Sequence, residues 1–170
     1  MPVAAILSGT PVWVWALFAF LLFRGIAALR AREMTPARML VLPVIFLVWA
    51  LAGMFFELVA WPAALAAFVV ALAIGLAGGW ANAARLPVAT RDPVTGLVCR
   101  PGSATTLVLV LVGFVAKYVL SVALAMHANL GAQTGFAALF GGVSGLIDGA
   151  FWGGAALQFR QAFGYRAATI

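Results

Sequence analysis

The sequence predicts an all-α integral membrane bundle of about five transmembrane helices, and three observations lead to this prediction. The first is composition: 66% of the 170 residues are hydrophobic and 8% are charged, with a mean hydropathy of +1.15, whereas soluble domains carry about 25% charged residues. The second is a set of segments that are apolar on all sides over roughly 20 residues, which is the length that crosses a bilayer. The third is the confinement of arginine to alternate connections between these segments.

The apolar segments have the length of helices and lack the alternation of polarity, over about ten residues, that marks the strands of a transmembrane barrel. The predicted helices are residues 11–29, 39–58, 62–82, 104–126 and 135–159. The chain from 1 to 170 is therefore expected to form a single transmembrane domain. Because Met1 to Trp13 contains no lysine or arginine, the first segment is interpreted as an uncleaved helix and not as a signal peptide.

The arginines predict the orientation of the bundle. They lie in the first connection, the third connection and the C-terminal tail, namely Arg30, Arg32, Arg38, Arg85, Arg91, Arg100, Arg160 and Arg166. The N-terminal stretch and the second and fourth connections carry none. Since positive residues favour the cytoplasmic side, this pattern requires an odd number of spans, with the N-terminus outside and the C-terminus in the cytoplasm.

The net charge of +6 is explained by this orientation. Nucleic-acid binding would instead require basic residues gathered on one soluble face, so the expected partner is the lipid bilayer and no nucleic acid. In the third connection, Pro93 and Gly96 lie between two short extended runs. This chemistry predicts a short cytoplasmic β-hairpin between the third and fourth helices. Its simplest role is to join two helices, and a docking role is the alternative.

Two ionisable residues lie inside predicted spans, Lys117 in the fourth helix and Asp148 in the fifth. Each costs about 2.5–3.5 kcal/mol at the centre of a span, so each is expected to face protein or water and to find a partner. In consecutive antiparallel helices, Asp148 lies about 4.5 Å along the axis from the level of Lys117, at 1.5 Å per residue. The two are therefore predicted to pair, with Tyr118, Ser121 and Ser144 as neighbours.

Small residues recur at every fourth position in three of the predicted helices, which permits close backbone approach. In the fifth helix they form a glycine zipper, Gly141, Gly145, Gly149 and Gly153. The fourth helix carries the row expected to dock on it, Gly113, Lys117, Ser121 and Ala125. The third helix carries another row, Ala63, Ala67, Ala71, Gly75, Gly79 and Ala83, also expected to be a close helix contact. Such faces could also join two copies of the chain, or the chain and another membrane protein.

These residues support two functions of different kinds. The preferred one is a structural or accessory membrane protein, in which Lys117 and Asp148 fix the register of two helices. The alternative is a transporter or channel for a small solute or ion that uses the same pair as a polar relay. An enzyme with a serine and lysine dyad, Ser121 or Ser144 with Lys117, is the least favoured reading because Lys117 is engaged and the site lies at mid-membrane.

No catalytic residue, cofactor or metal is predicted. His127 has no histidine or cysteine partner at metal-ligand spacing, and Cys99, the single cysteine, is expected to be a small loop residue without thiol chemistry. Glu57 is interpreted as a solvated helix end, with the mouth of a cavity as the alternative.

Three stretches carry a resemblance to known proteins: Arg30 to Pro43, Asp92 to Ser103 and Phe114 to Tyr118. They look like a group of small, uncharacterised bacterial inner-membrane proteins and, more distantly, resemble the CcdC-like family. This resemblance covers most of the chain. It implies a bacterial inner-membrane location and assigns no catalytic residue.

Overall fold

The computed structural model describes residues 9–164. The first eight residues, which precede the first predicted helix, and the last six, which include Arg166, lie outside this range. The described chain is mostly helical, as predicted. Its helices are α1 (Val12–Ala27), α2 (Pro36–Met39), α3 (Val41–Glu57), α4 (Trp61–Ala83), α5 (Ala104–Met126) and α6 (Thr134–Gly164), with a 3-10 helix at Ala128–Ala132. Its strands are β1 (Arg32–Met34), β2 (Thr90–Arg91) and β3 (Val98–Arg100).

Three of these helices, α4, α5 and α6, are long and apolar enough to cross a membrane. The helices α1 and α3 are equally apolar but have 16 and 17 residues, or about 24–26 Å at 1.5 Å per residue, against a hydrocarbon core of about 30 Å. The predicted second helix, 39–58, corresponds to α3, and Met39 instead ends the separate short helix α2, which Leu40 divides from α3. The last helix continues five residues beyond the predicted end at 159, to Gly164.

The predicted β-hairpin is confirmed, and it lies between α4 and α5. Strands β2 and β3 pair in antiparallel register, with Thr90 opposite Cys99 and Arg91 opposite Val98. The expectation that Cys99 is a loop residue is wrong, because it lies within β3, where its side chain is exposed. The physical reason is that β3 has partners on both of its edges.

The turn of the hairpin is closed by Asp92. Its carboxylate accepts hydrogen bonds from the Val94 amide and the Thr95 hydroxyl, both at 2.8 Å, and these bonds, that from the Thr95 hydroxyl first, lower the pKa of Asp92. Gly96 has a φ of +70°, a backbone conformation that favours glycine. The sequence Asp-Pro-Val-Thr-Gly therefore carries both the polar side chain and the flexible residue that this turn needs.

The strand β1 was not predicted from the sequence. It pairs with the other edge of β3, so the sheet has the order β1, β3, β2 with antiparallel neighbours throughout. The sheet therefore joins the connection between α1 and α3 to the connection between α4 and α5. Both connections lie at the same end of the bundle, which we call the sheet end.

The glycine row of α6 packs on α4, and the predicted docking on α5 is wrong. A Cβ atom built on Gly141, Gly145, Gly149 or Gly153 would overlap a backbone carbonyl of α4, that of Ala64, Phe68, Leu72 and Leu76 respectively. On α5, Gly113 instead faces the side chains of Phe46 and Ile147. The small-residue row of α4 includes Gly75 and Gly79, which leave room for the α6 backbone, whereas Lys117 makes the α5 row too bulky for such close approach.

Two apolar clusters fill the bundle and a third joins it to the sheet. One cluster includes Phe68, Leu124 and Phe140, and the second includes Phe46 and Phe114. At the sheet end, the last turns of α6 pack Ala162 and Phe163 against Met34, Met39, Ala89 and Val98. The long final helix therefore holds the sheet against the bundle.

The two ends of the bundle differ in charge. The sheet end carries the eight arginines of the described range, whose positions are 24, 30, 32, 38, 85, 91, 100 and 160. The opposite end, which we call the far end, includes the C-terminus of α3, the link from 127 to 133 and the start of α1. Within residues 9–164 it carries Glu57 and His127 but no arginine or lysine.

Candidate functional site

Lys117 lies on the inner face of α5 with only 2% of its surface exposed. Its ammonium nitrogen is 4.4 Å from the centre of the Phe140 ring and 6.0 Å from that of Trp49. A cation over aromatic faces gains about 2 kcal/mol when it is shielded from water. The Nζ atom has no hydrogen-bond partner among the described residues. Aromatic rings thus surround a charge that lacks a polar ligand.

Asp148 lies on α6 with 1% of its surface exposed, and neither carboxylate oxygen has a hydrogen-bond partner among residues 9–164. Both ionisable residues are therefore buried, but no salt bridge joins them in the described chain, where such a contact means an N to O distance of 4.0 Å or less. Their charges still interact across the longer gap. The gap follows from the packing, because the glycine row draws α6 toward α4 and away from α5.

The three predicted neighbours of this pair have other partners or surroundings. Ser144 is buried and its hydroxyl donates to the Phe140 carbonyl of its own helix at 2.6 Å. The Tyr118 hydroxyl hydrogen bonds with the Thr10 hydroxyl at 2.7 Å, and Ser121 lines a cavity at the far end. Neither serine hydrogen bonds to Lys117 in the described chain, so the geometry does not assemble the serine and lysine dyad.

The far end contains a cavity of about 490 Å³ between α1, α3 and α5. Its lining includes Trp13, Trp49, Glu57, Tyr118 and Ser121. Glu57 and Ser121 also line a second opening of about 390 Å³. Glu57 is exposed, as a solvated helix end should be, but it also lines these cavities.

The carboxylate of Glu57 is near enough to Lys117 for the two charges to interact. Three ionisable side chains thus follow one another from the far-end cavity into the bundle: Glu57, then Lys117, then Asp148. The sequence predicts Lys117 and Asp148 as a pair, whereas Glu57 is expected to be a solvated helix end. The sequence around Glu57 does not reveal that this residue lines a cavity, because the cavity depends on how α3 packs against α5.

A second cavity, of about 270 Å³, lies between α4, α5 and α6 near the sheet end. It is lined by the side chains of Arg100, Ser103, Thr106 and Gln158, among others. Gln158 is 2% exposed, and its Oε1 atom has no hydrogen-bond partner in the part of the chain that the structure describes. Neither Gln158 nor this cavity was predicted. A glutamine within the run Ala-Ala-Leu-Gln-Phe was the available signal.

Metal-ligand geometry is not found within residues 9–164, where no three histidine, cysteine, aspartate or glutamate side chains converge. His127 lies exposed at the end of α5, and Cys99 lies exposed on β3. Neither residue is among those that line the cavities described above. The candidate site therefore consists of Glu57, Lys117 and Asp148, the two far-end openings and the sheet-end cavity.

Comparison with known proteins gives a family but no activity. No curated protein and no solved structure matches the chain. A family described as a family of unknown function, DUF6622, has a sequence model that matches residues 1–168. The match covers nearly the whole chain, so this protein belongs to the DUF6622 family of unknown function.

Proposed function

We propose that this chain is a multi-pass protein of the bacterial inner membrane, with five spans, its N-terminus outside and its sheet in the cytoplasm. The separation of charge between the two ends of the bundle supports this topology, because positive residues are retained on the cytoplasmic side. The helices α1 and α3 can serve as spans if the bilayer thins locally or flanking residues extend them, at a modest cost in free energy. The resemblance to small bacterial inner-membrane proteins supports the location.

Reporter fusions test this topology. Alkaline phosphatase, which is active only outside the cytoplasm, is expected to be inactive when fused after Gly102 and active when fused after Leu130. Green fluorescent protein should give the opposite pattern at the same two sites. The reverse result at both sites would invert the orientation, and equal phosphatase activity at both would contradict a membrane crossing by α5.

We further propose that Lys117 and Asp148 form an intramembrane relay for protons. The observation that carries this proposal is that both side chains are buried to at least 98% without a direct ion pair. A pair that only fixes helix register stabilises the fold when its members touch and their remaining polar atoms are satisfied. Separated buried charges are costly, which favours a role in exchanging a proton over a purely structural one.

The chemistry of such a relay requires no bond change other than proton transfer. The ammonium group of Lys117 gives a proton to the Asp148 carboxylate, and the neutral amine that remains takes a proton from a protonated Glu57 at the far-end cavity. Asp148 then releases its proton to water in the cavity between α4, α5 and α6, whose wall includes Ala150 and Phe151 of the same helix, and this step restores the carboxylate. The flexible side chain of Lys117 suits this task, because its nitrogen can move between the two carboxylates that already share its field.

Proton flux into vesicles tests the relay. Purified protein in liposomes that contain a pH-sensitive dye is expected to acidify the interior when a potassium diffusion potential is applied. The D148N variant should lose this flux by at least about tenfold, since the amide has no titratable proton. The D92N variant is the matched control, because it makes the same chemical change on the exposed hairpin and should keep the flux.

The two results that contradict the relay are distinct. If wild-type protein carried no more protons than empty liposomes, the proposed proton transport would be wrong. If D148N eluted as a single species and kept the flux, Asp148 would not be part of the proton path. If D148N does not fold, D148E retains a titratable carboxyl and should retain measurable flux, and its failure to do so in folded protein would also count against the proposal.

A structural or accessory role is the second candidate, and the apolar surroundings of Lys117 favour it. The rings of Phe140 and Trp49 cover the ammonium group, as expected for a dry and closed bundle. Such a protein would act through a membrane partner or a second copy. Because α4 already occupies the glycine row of α6, that partner must contact another face. Absence of flux together with a stable bundle would favour this role.

A further inference from the structure

The sheet end contains a cluster of arginines, Arg24, Arg32 and Arg100, that form no ion pair with the carboxylates of Glu33 and Asp92 at the same end of the described chain. Arg32 and Arg100 lie directly opposite each other on paired antiparallel strands, where like charges destabilise the sheet. Arg24, near the end of α1, adds a third charge close to both. No salt bridge occurs within residues 9–164, so the acidic residues of the described chain leave these three guanidinium groups unpaired.

The guanidinium groups are partly withdrawn from water. Burial, followed by the charges of Arg32 and Arg24, lowers the pKa of Arg100 to about 10. Burial and then Arg24 also lower the pKa of Arg32. Arg24 donates one hydrogen bond, from Nη2 to the Arg38 carbonyl at 2.9 Å, and its buried Nε has no partner among the described residues. Several donors therefore remain available on three half-buried guanidinium groups.

One of these arginines, Arg100, lines a cavity of about 270 Å³. The wall of this cavity is mainly apolar, and it also includes Ser103 and Thr106. The buried side chain of Gln158, with its unpaired oxygen, forms part of the same wall. A cavity of this size is at the lower limit for a small-molecule pocket, which is about 300 Å³. It can therefore hold one small group of a ligand, and the rest of a larger ligand would lie outside it.

We propose that Arg24, Arg32 and Arg100, with the Gln158 cavity, bind the phosphate group of an anionic ligand. Guanidinium groups recognise phosphate through paired, charge-assisted hydrogen bonds, and a bound anion would relieve the repulsion between Arg32 and Arg100. The Gln158 amide nitrogen and the two hydroxyl groups can donate to a phosphate oxygen, whereas the unpaired Gln158 oxygen is an acceptor and can take a hydrogen bond from a hydroxyl group of the same ligand. This binding site is separate from the relay, which lies deeper in the bundle.

The position of the cavity favours an anionic phospholipid as the source of the phosphate. Helices α4 and α5 both pack on α6 and have little direct contact with each other, and the cavity lies in the gap between them. Gly78 of α4 is exposed and leaves open space at this gap. Basic pockets between spans on the cytoplasmic side are suited to lipid headgroups. A soluble phosphate compound would share the same chemistry and is separated from lipid by experiment.

Thermal unfolding in a neutral detergent, with and without added ligand, tests the proposal. Phosphatidylglycerol is expected to raise the melting temperature of the wild-type protein, while phosphatidylcholine, which has no net charge, should not. The R32Q/R100Q variant should weaken the apparent affinity for phosphatidylglycerol by at least about tenfold. The control variant R30Q changes an exposed arginine of the same connection and should respond like the wild type.

The free energy of unfolding without ligand provides a second readout. Because R32Q/R100Q removes a repulsion between opposite strand positions, this variant should be at least as stable as the wild type without ligand. If the measured stability agrees with this expectation, misfolding does not explain a loss of the ligand response. Inorganic phosphate that stabilises the wild type as strongly as phosphatidylglycerol would support the site and identify a soluble ligand. Stabilisation by neither compound, or equal stabilisation of R32Q/R100Q, would overturn the proposal.

Discussion

Substitution of Gly149 by alanine is expected to lower the free energy of unfolding by about 2–3 kcal/mol, the cost of overfilling a close-packed contact. A Cβ atom at this position would overlap the Leu72 carbonyl and would lie 2.7 Å from the Leu76 nitrogen and 2.8 Å from the Gly75 Cα. All three are backbone atoms, so no side chain can rotate to make room. Helices α4 and α6 must separate to accept the new methyl group, and the loss is measured by reversible unfolding in mixed micelles.

Gly142 provides a matched control for this substitution. It lies on the same helix, next to the glycine row, and a Cβ atom built there meets no other atom within 4 Å. Since alanine has a higher helix propensity than glycine, by about 1 kcal/mol, G142A should be neutral or slightly stabilising. If G149A were as stable as G142A, the close contact between α4 and α6 would be wrong.

Neutralisation of either buried charge alone is expected to lower the free energy of unfolding by about 2–3 kcal/mol. The variant K117M leaves Asp148 as a buried carboxylate without a compensating charge, and D148N does the same to Lys117. The double variant removes both charges, so it should be more stable than either single variant. A double-mutant cycle, with unfolding measured on all four proteins, gives the coupling energy between the two sites.

The control for this cycle pairs K117M with D92N. Asp92 lies on the exposed hairpin, so the effects of these two substitutions should add. Additive effects of K117M and D148N would show that the two buried charges do not compensate each other. Stabilisation by either single variant would have the same meaning. The coupling energy reports only on compensation, and the proton flux measurement distinguishes a relay from an accessory role.

Local signals in the sequence were sufficient to locate much of the fold. Long apolar stretches gave all five helical segments, although α1 and α3 are shorter than predicted and α2 is separate from α3. The hairpin was predictable because Asp92 and Gly96 carry its turn chemistry in five consecutive residues. The burial of Lys117 and Asp148 followed from their position within apolar helices.

Choices between distant partners could not be made from the sequence. Three helices carry small residues at every fourth position, and the pattern alone does not show which two of them meet. The choice between α4 and α5 as the partner of α6 depends on the shape of both surfaces, where Gly75 leaves space and Lys117 fills it. A strand as short as β1 is equally hard to predict, because three residues carry almost no periodic signal. The juxtaposition of Arg32 and Arg100 depends on that strand.

The final helix connects the middle of the bundle to the sheet as a stiff rod. It runs without interruption for 31 residues, or about 46 Å at 1.5 Å per residue. Asp148 lies near its middle, and Gln161, about 20 Å further along, accepts a hydrogen bond from the Ala89 amide beside the hairpin at 3.1 Å. An axial shift or rotation of this helix at Asp148 would therefore also move Gln161 and the hairpin that it contacts, so the proposed relay would be mechanically coupled to the sheet.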